Sequence, residues 1–197
     1  NGTGANLLNF EKIDKLDGLV SDISSAERTT VLKTKNDDLY MCGSLNGENI
    51  LSWKKIDQFD NKVDKIYSSW SGTFIIDKEK NLWLIGDLYA SGDINHPTWF
   101  KVEELNGIVK EVCCIRFDIY VIDINNNLWT LGSGNGNDDK NAKDRVWNKI
   151  EKFNGIVDKV WLSFSSVFVK DIHKNIWVYS SLYFGFNNIG YDKSVFN

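Results

Sequence analysis

Catalysis needs an acid, a base, a nucleophile or a metal-ligand set brought together. This 197-residue chain offers few candidates: two histidines, three cysteines and one glycine-rich acidic stretch. His96 stands beside Pro97 and His173 in a run of turn residues, neither with a visible partner, so both read as surface-turn residues. Cys42, Cys113 and Cys114 have no metal-ligand spacing, and neighbours on a strand point to opposite faces, so they read as buried or half-buried thiols. The stretch Gly132-Ser133-Gly134-Asn135-Gly136-Asn137-Asp138-Asp139 has the composition of a phosphate cradle or a calcium loop. No helical pattern follows its glycines and the spacing to a terminal Glu is not met, so it reads as a connecting loop. The remaining carboxylates are dispersed through turns, where Asp supports local backbone hydrogen bonds. The expectation is no catalytic residue, no cofactor and no metal, and a protein that is not an enzyme.

What would position any site is a repeat. Asn127-Leu128-Trp129-Thr130-Leu131-Gly132 has relatives in Asp38-Leu39-Tyr40-Met41-Cys42-Gly43, Asn81-Leu82-Trp83-Leu84-Ile85-Gly86 and Asn175-Ile176-Trp177-Val178-Tyr179-Ser180. Aligned on Leu39, Leu82, Leu128 and Ile176, the copies keep register at Val20, Val63, Val109 and Val157, and at Ile13, Ile56, Val102 and Ile150. An aromatic column precedes the latter by three, at Phe10, Trp53, Trp99 and Trp147, and a turn column lies at Gly18, Asn61, Gly107 and Gly155, residues that tolerate positive φ. Periods of 43, 46 and 48 residues separate Leu39, Leu82, Leu128 and Ile176, the differences lying between cassettes. The units are expected at 1–43, 44–86, 87–132 and 133–180, with 181–197 a connection and the start of a fifth repeat. Ser194-Val195-Phe196-Asn197 carries that start, since it repeats Arg145-Val146-Trp147-Asn148.

No helical period is sustained, and each cassette reads as four short strands, in the second copy Trp53–Asp57, Val63–Ser69, Thr73–Asp77 and Leu82–Ile85. Polar tips such as Asp77-Lys78-Glu79-Lys80-Asn81 join the last two. A small antiparallel sheet cannot bury its faces alone, and copies stacked around an axis make a β-propeller.

Gly107-Ile108-Val109 with Asn127–Gly132, and Gly155-Ile156-Val157 with Asn175-Ile176-Trp177, resemble the RCC1-like (regulator of chromosome condensation) repeat over nearly the whole chain. The family's small residue and His between second and third strands would fall near Ala26 and Thr29, Ser69 and Gly72, Ile115 and Asp118, and Ser163 and Ser166, where no His stands. Its Asp-Gly tip is also lost, with Asp37, Lys80, Asn126 and Lys174 in the Gly place. The marks of WD40 and kelch repeats are missing, so the chain is read as a divergent RCC1-like member. The resemblance implies an all-β propeller of about four blades, an arc or fragment of a ring of about seven. Open blade edges in such an arc imply self-association or further repeats.

Six of the eight tryptophans sit in repeat-locked columns and read as core or inter-blade packing. Other residues break the repeat. Glu27, Trp70, Arg116 and Phe164 share a column at the turn between second and third strands, and Ser24, Tyr67, Cys113 and Trp161 share another. Residues that vary while their flanks hold are not needed to build a blade. Glu27, Arg28, Trp70, Arg116, Phe117, Asp118 and Phe164 therefore form a candidate partner-binding patch, with Trp and Arg as favoured anchors.

A formal charge of −4 argues against a nucleic-acid surface, and no apolar run reaches the length of a membrane span. A chain that opens without Met reads as trimmed, which leaves the compartment open. The leading expectation is a protein-protein interaction module binding a macromolecular protein partner through variable loops. The alternatives are guanine-nucleotide exchange on a small GTPase, permitted by the family resemblance, and a glycan-binding or adhesion propeller, suggested by the loop aromatics.

Overall fold

The run Thr73-Phe74-Ile75-Ile76 has no polar side to turn toward water, so a strand built from it must be covered on both faces. In the structure, a computed structural model, that strand is wholly buried between two neighbouring sheets. The structure describes residues 12–27, 29–45, 48–70, 72–87, 95–115, 118–131, 146–163 and 166–180.

Among the described residues all regular structure is β apart from three-residue 3₁₀ turns. The first blade is β1 (Val20–Ser25), β2 (Thr29–Thr34), β3 (Leu39–Leu45) and β4 (Glu48–Lys55), paired antiparallel in sequence order. The second is β5 (Val63–Ser68), β6 (Gly72–Asp77), β7 (Leu82–Asp87) and β8 (Asn95–Lys101). The third is β9 (Val109–Ile115), β10 (Asp118–Asp123), β11 (Leu128–Leu131) and β12 (Trp147–Lys149). The fourth has three strands among the described residues, β13 (Val157–Leu162), β14 (Ser166–Asp171) and β15 (Ile176–Ser180).

Sequence repeat and hydrogen-bonded sheet are out of phase by one strand. The strand carrying Trp53 pairs with β3 of the copy before it, and the second blade takes its fourth strand from Asn95–Lys101. That strand also ends at Lys55, because Asp57–Phe59 turns as a 3₁₀ element. This corrects the grouping read from sequence: the second, third and fourth cassettes each give their first strand to the blade before them, so covalent connections tie neighbouring blades together.

Among the described residues three apolar cores lie between consecutive blades. Val31, Leu39 and Met41 meet Phe59, Val63 and Ile66 between the first and second. Phe74, Leu82 and Leu84 meet Leu105, Val109 and Val112 between the second and third. Tyr120, Ile122 and Leu128 meet Phe153, Val157 and Val160 between the third and fourth. Each large aliphatic removed from water contributes about 1.5–3 kcal/mol, so the repeated columns are the source of cohesion. Alternation also explains the adjacent thiols: Cys113 packs on the third core and Cys114 on the second, both half-buried, while Cys42 is buried.

The glycine that closes the repeated motif has its own backbone reason. Gly43 and Gly86, at φ +119° and +131°, sit where the pairing of β3 with β4 and of β7 with β8 shifts register, a bulge that side chains resist.

Candidate functional site

First strands of successive blades approach one another, β1 on β5, β5 on β9 and β9 on β13, so they form the inner layer of the arc. Ser68 donates to the Ser24 carbonyl at 3.4 Å and Cys113 to the Val160 carbonyl at 3.4 Å across these junctions. Toward the ends of these strands lies a groove of about 320 Å³ lined by Ser24, Tyr67, Ser68, Cys114, Ile115 and Leu162, among others. Burial raises the Tyr67 hydroxyl and pushes the Cys113 and Cys114 thiols up to about 12, so all three are neutral at ordinary pH. A neutral thiol is a poor nucleophile.

Every first hairpin has two tip residues. The Ala26 amide donates to the Thr29 carbonyl at 2.9 Å, Ser69 to Gly72 at 2.9 Å and Ser163 to Ser166 at 2.8 Å, while Asp118 pairs with Ile115. By position the tips are thus Glu27-Arg28, Trp70-Ser71, Arg116-Phe117 and Phe164-Ser165, of which Glu27 and Trp70 are among the described residues. Glu27 and Asp118 are exposed, and Trp70 keeps 47% of its surface in water. Arg28, Arg116, Phe117 and Phe164 lie outside the described residues. Trp161, which breaks its column, is exposed beneath Lys159, whose Nζ lies 5.6 Å from the ring. Sequence reasoning singled out the tips but not the groove beside them, although the varied column Ser24, Tyr67, Cys113 and Trp161 signalled it.

The second hairpins do a different job, missed in the sequence. Asp123 Oδ1 accepts the Asn125 and Asn127 amides at 2.9 Å, while Oδ2 accepts Asn127 Nδ2 at 2.7 Å and Trp129 Nε1 at 2.9 Å. Asn127 Oδ1 then takes the Gly155 amide of the next blade at 2.8 Å. Asp77, Asn81, Trp83 and Gly107 repeat the arrangement, and Asp171, Asn175 and Trp177 repeat its intrablade part. The first blade has Thr34, Asp38 and Tyr40 instead, with Asp38 Oδ1 accepting the Asn61 amide at 3.1 Å. The signal was present as an Asp six positions before each motif Trp, and it passed for ordinary turn chemistry.

Burial opposes ionisation of Asp171, yet donors from Trp177, Asn175 and His173 hold it down to about 2. The same balance lowers Asp123. The His173 role is thereby placed: its amide caps Asp171 in a turn. The losses of Gly noted at the tips cost no conformation, since Asp37, Lys80, Asn126 and Lys174 all adopt φ of 60–71°. Their carbonyls accept the first amide of the next blade, Asp37 from Val63 at 3.1 Å, Lys80 from Val109 at 2.9 Å and Asn126 from Val157 at 2.9 Å. Among the described residues no group of three or more His, Cys, Asp or Glu converges as a metal site would require, and no helix is long and apolar enough to cross a membrane.

No family model and no curated protein matches the chain. Solved structures do. Human WBSCR16 superposes with a TM-score of 0.65 at 13% identity, over 82% of this chain and 47% of its own. The yeast RCC1 protein Prp20, solved with Kap60, gives 0.64 at 8% identity over 82% and 43%. Prp20p from Saccharomyces cerevisiae, reported with its binding to Gsp1p and histones, gives 0.64 at 9% over 82% and 45%. The fold is therefore that of an RCC1-like β-propeller, and the chain spans less than half the length of these neighbours.

Proposed function

We propose that the chain is a non-enzymatic protein-interaction module that grips a protein partner with its first-hairpin tips and the groove beside them. The observation that carries this reading is the contrast within each blade: the second hairpin is repeated and hydrogen-bonded into the scaffold, while the first ends in a two-residue tip that changes in every copy. An exposed Trp at such a tip, beside a groove of neutral side chains, supplies the aromatic anchor that protein interfaces favour. Fold likeness agrees, in that Prp20 is described in complex with Kap60 and as binding Gsp1p and histones. Likeness of fold does not transfer a partner, so the site must carry the reading.

The test is comparative capture by cross-linking, with the wild-type chain and a Trp70→Ala/Arg116→Ala variant as baits. Partners retained by wild type and lost by the variant support the reading. A partner held at full strength by both would remove the tips from the interface. Nucleotide release from a GTPase panel distinguishes exchange activity, since acceleration by the chain would make the module an exchange factor. Glycan-array binding lost with Trp70 would point to a sugar ligand instead.

A further inference from the structure

Among the described residues one interface recurs three times, and the apolar side chains of each half stand once more, exposed. On the trailing face of a blade, Leu39, Leu82 and Leu128 are 0–1% exposed, but their counterpart Ile176 is 60% exposed and its neighbour Val178 is 38% exposed. On the leading face, Ile66, Val112 and Val160 are at most 5% exposed, whereas their counterpart Ile23 is 59% exposed, with Leu19 beside it. The polar parts stand ready in the same way. Lys80 and Asn126 offer their carbonyls to Val109 and Val157, and Asn81 and Asn127 offer Oδ1 to Gly107 and Gly155. Lys174, at φ +71°, and Asn175 occupy these positions on the last blade, and among the described residues neither the Lys174 carbonyl nor Asn175 Oδ1 has a donor. At the other end Gly18 holds φ +69°, close to the +72° and +73° of Gly107 and Gly155, and among the described residues neither its amide nor that of Val20 has an acceptor.

We infer that two copies of this chain join head to tail, the Asp14–Ile23 face of one stacking on the Lys170–Val178 face of the other. The argument is continuity with the interface already built three times inside the chain. Gly18 N donates to Asn175 Oδ1, Val20 N to the Lys174 carbonyl, and Ile23 with Leu19 covers Ile176 and Val178. Lys170 has a worked precedent: its counterpart Lys33 donates Nζ to the Asp64 carbonyl of the next blade at 2.8 Å, the place that Ser21 takes in the second copy. Such a contact is heterologous, using different surfaces on the two copies, so one junction leaves a free head and a free tail.

That asymmetry supplies the test. Ile23→Asp disables only the head and Ile176→Asp only the tail, both at exposed positions where folding is checked by circular dichroism. Sedimentation velocity over a dilution series should show wild type associating with concentration, and each variant alone weakened by at least about tenfold. Mixing the two variants should restore a single one-to-one complex, because one still has its tail and the other its head. A wild-type chain that stays monomeric throughout, variants that associate as wild type does, or a mixture that forms no complex would each overturn the inference.

Discussion

The two hairpins of each blade are built from the same short strands yet follow opposite rules. The second, Asp123 to Asn127 in the third blade, spends every polar atom of its carboxylate on the scaffold and reaches the next blade through Asn127. The first, at Ile115 to Asp118, closes on the pairing of those two residues. The difference teaches where this molecule tolerates change. Sequence at the second hairpin is constrained by a buried charge that must be surrounded by donors, whereas the tip residues of the first differ from copy to copy.

The sharpest way to break the comparison is Asp123→Ala. It strands the Trp129 and Asn127 side-chain donors and two amides in a buried place, and should cost about 3 kcal/mol in urea unfolding. A next step separates the blade's own bonds from the clip to its neighbour. Asn127→Ala loses both, Asn175→Ala only the first, so the former should cost about 1 kcal/mol more. Equal losses would mean that the bond to Gly155 contributes nothing.

Acid probes the same carboxylates. Asp171 is held below its ordinary value of 3.8, down to about 2, so its contribution is complete above about pH 4 and fades as pH falls toward 2. Unfolding midpoints should drop over that window, and Asp171→Asn should flatten the drop. The smallest effect belongs to the first hairpin: Trp70→Ala should shift stability by no more than about 0.5 kcal/mol, since the ring is half in water. A larger loss would make Trp70 part of the scaffold and weaken its assignment to a binding patch.

Much of this architecture was legible beforehand, for physical reasons. The columns Val20, Val63, Val109, Val157 and Leu39, Leu82, Leu128, Ile176 announced themselves because every buried interface needs the same apolar shape. Positive φ at Gly18, Asn61, Gly107 and Gly155 followed from residue type alone. Three things were not legible. Strand exchange between repeats leaves no local mark, because Trp53 makes an equally good strand in either sheet. The Asp-to-Trp bond joins two signals that each have a commoner explanation, a turn for Asp77 and packing for Trp83. The groove at the inner strand ends arises from blades meeting, which no single repeat records. As for the patch, residue variation pointed to Glu27, Trp70 and Asp118, which the structure places at or beside exposed tips, while Arg28, Arg116, Phe117 and Phe164 stand outside the described residues.

Amide hydrogen exchange at three glycines tests most directly whether the second hairpins hold blade to blade. Gly107 and Gly155 donate to Asn81 and Asn127 at 3.0 and 2.8 Å, and Gly18 occupies the same turn with no acceptor for its amide among the described residues. In dilute protein, where copies are apart, Gly107 and Gly155 should exchange as slowly as the inter-blade core and Gly18 as fast as a free turn. Equal rates at all three would contradict the account, because the clip would then add nothing to the turn itself.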